Sequence, residues 1–462
     1  MLAAFGYLVL AALAASMVLC YQRPAFAFAL VLILYPLKQL QMTYLPIFAQ
    51  HSSWFNMIIF AGVCIAVLSS VTRGRGVFIG YWNRYAVLLL FMYMFGLFAI
   101  LYSPSQDTAI ARAIDGAPYW VMQILLLPLV FSDVRDVQRF FMPFLIAGCV
   151  VIGLFLTNPQ AKFYAGRLTL EIGYFQGVAD YRGSPLATAQ MGGQLAIVAA
   201  LMLPSRATRL VNLARLGGVF LGLGIAVAAG SRGQLILALL VMALFWPLAR
   251  PVRNVKQFFV SLIGLGAVGG VALIALRFFI AQNVEQSRRW DLQAQFDTLA
   301  DRAFEAWILI DALLQQPAKW LFGLGTNAYS YVSGHPHSYA HNLFIEMLGE
   351  YGLLGITVTI VLLVWMYKAG REFWTSHRED PSERSAAAVM LALGAYLVLL
   401  SLKQGTFVGA PDTWYTMAIV CRLVYRERVF AAWNAQFASP EDEIPLVSYE
   451  DPGEPASAEA RA

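Results

Sequence analysis

Residues 334–342, GHPHSYAHN, hold three of the chain's five histidines: His335, His337 and His341. Three imidazoles could complete an open catalytic zinc site. Pro336 and the small and aromatic residues around it give no regular strand or helix to fix that spacing, and no cysteine lies nearby. The segment therefore predicts no metal. Imidazole titrates near neutral pH and suits general-base work. The following HNLFIEMLGEYG reads as a helix start with Asn342 near its cap. Asn342, Glu346 and Glu350 share one helical stripe beside an apolar face of Leu343, Met347, Leu348 and Tyr351. Polar groups entering a membrane edge need protein or water partners. His341, at the head of that stripe, is the candidate base, and His335 reads as an interfacial residue.

A second constellation could hold an anion. In AGSRGQLILAL, Gly230 ends one apolar run and Ser231 can cap the next, leaving Arg232 at a helix N-terminus. Backbone N–H groups and a guanidinium converging there suit a phosphate. The competing explanation is an arginine snorkelling to a membrane boundary. Arg302, in LADRAFEAW, offers a second anion ligand or a local pair with Glu305. Arg182, in DYRGSPLATAQMGG, lies just before another apolar run. Lys162 and Arg167 are weaker candidates, and Lys403 and Asp412 read as flanks of the final spans. FGLGTNAYSY supplies Gly323 and Gly325 for a turn without a phosphate-loop pattern.

The elements that must position these groups are membrane helices. The 462 residues are 59% hydrophobic and only 13% charged, about half the charged fraction of a soluble domain. Apolar runs recur at 2–20, 25–41, 54–71, 84–102, 117–131, 139–156, 187–204, 210–229, 233–249, 257–280, 343–367, 385–402 and 411–425. The expected fold is an all-α polytopic membrane protein of about 12–13 transmembrane helices. The N-terminal run lacks a basic flank and a small-residue cleavage site, so it reads as a retained first span. The net charge of +5 does not point to nucleic acid, because the arginines sit mostly at the ends of apolar runs. The four cysteines fall in or beside apolar runs without a CxxC spacing, which excludes a disulfide framework.

Basic residues collect in alternate short loops, at 23, 73–84, 135–139, 206–215, 250–256 and 368–384. These should face the cytoplasm. The loop at 157–186, the turn at 229–233 and the stretch 281–342 then share the outer face. Arg232 on that face runs against the charge bias, which favours a functional role. Within 281–342, Leu299, Ala303, Ala306, Trp307, Ile310 and Leu314 recur at helical spacing, predicting an amphipathic helix. The implied organisation is an N-terminal bundle at 1–156 and central helices with the outer loop and SRG turn at 157–280. A periplasmic segment at 281–342, C-terminal helices at 343–431 and a disordered, acidic cytoplasmic tail at 432–462 complete it.

The order SRG, DRAFEAW, WLFGLGTNAY and HSYAHNLFIEMLGEYGLLGI resembles the bacterial O-antigen ligase and O-antigen polymerase superfamily, over residues 160–365. The resemblance implies a multi-pass protein of the bacterial inner membrane, with its active site facing the periplasm. It implies an inverting, metal-independent glycosyltransferase that needs no cofactor. The donor would be an oligosaccharide on undecaprenyl diphosphate. The acceptor would be a second lipid-linked repeat unit in a polymerase, or lipid A core in a ligase. Carried over by motif, Arg232 and Arg302 would hold the diphosphate and His341 would activate the acceptor hydroxyl. His337 is the fallback base, because HPHSYAHN permits two alignments, and Arg182 would contact the diphosphate. Ser231, Asn342, Glu346 and Glu350 would support these groups. Partners would be the lipid-linked glycan, the bilayer, and the flippase and chain-length regulator of an export pathway.

Chain length and the unusual termini favour polymerisation of an O-antigen or exopolysaccharide. A secondary transporter is the rival from another class. Its expected mark is ionisable groups or repeat symmetry at mid-membrane, whereas the polar constellations here sit at the outer ends of spans.

Overall fold

The computed structural model describes residues 2–175, 178–204, 208–250, 254, 256, 259, 270, 304–335, 339–404, 406–409 and 411–437. Arg302, His337, the expected span at 257–280 (apart from 259 and 270) and the tail beyond 437 lie outside them. The fold is an all-α membrane bundle with, among the described residues, one small sheet. Among the described residues ten helices are long and apolar enough to cross a membrane, and Pro185–Leu201 is a shorter apolar helix.

The first half of the bundle comprises α1 (Leu2–Gln22), α2 (Phe26–Tyr44), α3 (Pro46–Gln50), α4 (Ser52–Thr72), α5 (Arg84–Phe98), α6 (Gln106–Tyr119) and α7 (Val134–Thr157). After α6 the chain passes through a π-helical segment, Trp120–Leu126, and a 3-10 turn, Leu127–Val130, before α7. Pro118, just before that segment, cannot donate a helical hydrogen bond, which accounts for the widened geometry. Then come α8 (Pro185–Leu201), α9 (Arg209–Ala228) and α10 (Arg232–Ala249), followed by α11 at 304–314, α12 (Ala328–Val332), α13 (Leu343–His377), α14 (Pro381–Ser401) and α15 (Tyr415–Phe437). α2 and α8 are buried along nearly their whole length. They form the axis around which α4, α7, α9, α10 and α14 pack.

Three details differ from expectation. The loop at 157–186 contains an antiparallel sheet, β1 (Ala161–Tyr164), β2 (Arg167–Phe175) and β3 (Val178–Arg182), in the order β1-β2-β3. Its register pairs Tyr164 with Arg167 and Glu171 with Arg182, and shifts around Gly173. Residues 432–437 belong to α15, not to the tail. The buried face of α11 is Ala306, Leu309 and Leu313, while Trp307 is 56% exposed. The apolar stripe is thus rotated from the expected one, because the helix packs against Gly349 of α13 through Leu309.

α13 is broken at Gly352, which has φ 67° and ψ −158°. The turn at 320–325 docks into the break by its backbone. Leu324 N and Gly325 N donate to the carbonyls of Gly349 and Glu350, and Leu353 N donates to Trp320 O at 2.8 Å. No side chain fits between the two segments, because a Cβ on Gly323 or Gly352 would strike backbone atoms. This is what FGLG and EYGLLG share: glycines that let two backbones meet.

Candidate active site

Of the described candidates, Arg182, Arg232 and His341 lie at the end of the bundle where α2 finishes and α8 and α10 begin. Gly230 turns there with φ 61°, and a Cβ on it would meet Gly166 O and Arg167. The SRG turn therefore leans on the β1–β2 hairpin. Arg232 is the first residue of α10 and is half-buried. Ser231 occupies the cap position, but its side chain makes no capping hydrogen bond. One further residue along, Gly233 abuts the side chain of Lys403. Lys403 Nζ donates to Gln234 Oε1 at 2.8 Å, Gln234 Nε2 to Gln404 Oε1 at 2.7 Å, and Gln404 Nε2 to Gln190 Oε1 at 3.0 Å.

This amide relay leads from the SRG turn to a cavity of about 400 Å³ whose polar lining includes Lys38, Gln39, Gln190, Gln404, Asp412 and Tyr339. Gln123 and Gln190 donate side-chain hydrogen bonds to Asp412. A buried carboxyl, amides and tyrosines form a lining that can exchange hydrogen bonds with hydroxyls. Arg182 stands beside this cavity. Its guanidinium lies 3.4 Å from the ring centroid of Tyr164, and it lines a neighbouring cavity of about 280 Å³. Met42 and Tyr181 border both cavities.

His341 reaches the cavity rim through Tyr339, whose ring centroid lies 4.1 Å from its own. His341 has φ 52°, a left-handed conformation uncommon for any residue but glycine. Asn342 then caps α13, accepting hydrogen bonds from Phe344 N at 3.0 Å and Ile345 N at 3.3 Å. The left-handed residue and the cap together fix where the imidazole leaves the backbone.

Glu346 and Glu350 are buried and turn towards loop backbone. Glu346 Oε1 accepts from Phe407 N at 2.8 Å. Glu350 accepts from Asn327 N at 2.8 Å and from Tyr329 N at 3.3 Å. Arg112 acts electrostatically on both carboxyls. These glutamates position the two loops that flank the site, 324–332 and 406–409, from within α13. His335 is exposed, and its N–H donates to Ser333 Oγ at 3.3 Å.

Sequence reasoning passed over Lys38 and treated Lys403 and Asp412 as span flanks. Lys38 carried a usable signal, a single ammonium inside the apolar run of α2, where an ionisable residue marks function by default. Gln190 and Gln194 carried another, two amides on one face of α8.

Residues 217–360 match a family model described as O-Antigen ligase. The match takes in the SRG turn, Arg302, the docked 320–325 turn, His337, His341 and both glutamates. Lys38, Arg182, Gln190, Lys403 and Asp412 lie outside it. No curated protein matches the chain.

Proposed function

We propose that this chain, a membrane protein of the O-antigen ligase and polymerase superfamily, transfers a glycan from a lipid diphosphate carrier to a sugar hydroxyl. The observation that carries the reading is the cavity of about 400 Å³ at one end of the bundle, with His341 at its rim through Tyr339 and a glutamine relay running from it to Gln234, two residues beyond Arg232. The donor is an oligosaccharide on undecaprenyl diphosphate, bound from the periplasmic leaflet of the inner membrane. The acceptor is a second lipid-linked repeat unit, so that the product is a polymer. Lipid A core is the alternative acceptor.

Displacement with inversion at the anomeric carbon needs a base on one face of the sugar and leaving-group stabilisation on the other. His341 takes the acceptor's hydroxyl proton as the new glycosidic bond forms, and His337 is the alternative base. The old bond breaks towards the diphosphate, whose developing charge is met by Arg232, Arg302 and Arg182. Arginine forks do this by charge-assisted hydrogen bonds without a metal. Lys38 adds positive charge to the same cavity, and Asp412 with the glutamines holds sugar hydroxyls.

The test is a deletion strain complemented with wild type, Arg232→Ala or His341→Ala and analysed for surface glycan. Both variants should reach the membrane at wild-type level and lose at least about 10²-fold in product. Single-repeat product in the deletion strain identifies a polymerase, and full-length glycan left on its carrier identifies a ligase. Normal glycan from either variant would remove that residue from the chemistry.

A further inference from the structure

The other end of α2 carries a second cavity, of about 390 Å³, lined by Gln22, Arg23, Pro24, Ala25, Arg73, Arg75, Asp136 and Arg139. Along α2 the first cavity is lined from Tyr35 to Met42, and Met42 lies 17 residues beyond Ala25 of the second, a rise of about 26 Å. That is close to the hydrocarbon thickness of a bilayer, about 30 Å. The second cavity therefore opens at the opposite headgroup layer.

Its charge is strongly one-sided. Four guanidiniums face one carboxylate. Asp136, buried at the start of α7, receives Arg75 at 3.2 Å, Arg139 at 2.5 Å and the N–H of Ser132 at 2.9 Å. Arg73 donates to Tyr21 O at 2.8 Å and Gln22 O at 2.9 Å, at the carbonyl end of α1. Two more arginines, from α15, fix the walls. Arg422 donates to the carbonyls of Val77, Pro128 and Phe131, and Arg426 to those of Arg75 and Ser132. Arginines that merely followed the charge bias of loops would spread around the rim of the bundle. These converge on one concavity, held by neighbouring backbone and by a carboxylate too few to neutralise them.

We propose that this cavity is a binding site for a phosphate group, carried by an anionic lipid headgroup or by a soluble phosphate compound. Guanidinium forks match phosphate oxygens in pairs, and the volume admits a phosphodiester headgroup. The site is independent of the transfer reaction proposed above.

The full chain, reconstituted in phosphatidylcholine nanodiscs with and without phosphatidylglycerol, tests this. Native mass spectrometry counts retained lipid, and thermal unfolding reads stabilisation. Retention of phosphatidylglycerol should fall roughly fivefold for each arginine removed in Arg23→Gln and in Arg23→Gln/Arg73→Gln. Arg23 is exposed, so the single variant keeps the fold if the double does not. Inorganic phosphate titrated into pure phosphatidylcholine discs separates the sources. Stabilisation there, absent in Arg23→Gln, identifies a soluble ligand, and stabilisation by phosphatidylglycerol alone identifies the lipid. Wild type that responds to neither, or an Arg23→Gln variant that binds both as wild type does, overturns the site.

Discussion

Lys403 Nζ donates to Gln234 Oε1 at 2.8 Å, two residues beyond Arg232. The lysine side chain lies flat against Gly233, so a residue between α14 and α15 fixes the first turn of α10. Lys403→Met keeps an unbranched apolar stem over Gly233 and removes the ammonium. We expect unchanged membrane level and a loss of about 10-fold or more in glycan transfer, because a positive charge beside the proposed diphosphate site is gone. Wild-type transfer would reduce Lys403 to packing.

Gly352 and Gly217 give a matched pair for the helix break. At Gly352, φ 67° and ψ −158° lie where only glycine is comfortable, and a Cβ would meet Trp320 O and Gly323 N. Gly352→Ala should cost about 3 kcal/mol or more, by strain and by expulsion of the docked turn. At Gly217, in the middle of α9, a Cβ meets nothing within 4 Å. Gly217→Ala should be neutral or stabilising by about 0.5–1 kcal/mol. Thermal unfolding in detergent measures both, and equal effects would refute the docking account.

Glu350 offers a related test. Its carboxylate takes the N–H groups of Asn327 and Tyr329. Glu350→Ala leaves both buried donors unpaired, costing about 2–5 kcal/mol, whereas Glu350→Gln keeps an acceptor and should cost less. If the two variants unfold together, the carboxylate does not hold the loop.

The helical spans were legible because length and hydropathy are local properties. Twelve of the thirteen expected apolar runs fall on helices of the structure, and the remaining one, 257–280, lies almost wholly outside the described residues. The motifs around Arg232 and His341 were legible through residue type at element ends. The cavity was not, because Lys38, Gln190 and the pair Gln404 and Asp412 come from three distant segments and meet only in the folded bundle. The three-stranded sheet was hidden for a different reason. Two of its strands have only four and five residues, and the longer β2 pairs through an irregularity at Gly173 that breaks the alternation of side chains. The stripe of Asn342, Glu346 and Glu350 was visible as a pattern, but its partners are backbone amides that no sequence pattern announces.

His341 can be replaced without disturbing its backbone. At φ 52° most side chains are strained, but asparagine tolerates the left-handed region. His341→Asn should thus keep the entry to α13 and the Asn342 cap, losing about 0.5–1.5 kcal/mol with the Tyr339 ring contact. His341→Val, β-branched at the same dihedral, should cost about 1–3 kcal/mol more. If the imidazole takes the acceptor's proton, His341→Asn loses about 10²–10⁴-fold in transfer at near-normal stability. Full transfer by His341→Asn, with the loss appearing only in His341→Val, would make the position a backbone hinge and pass the base to His337.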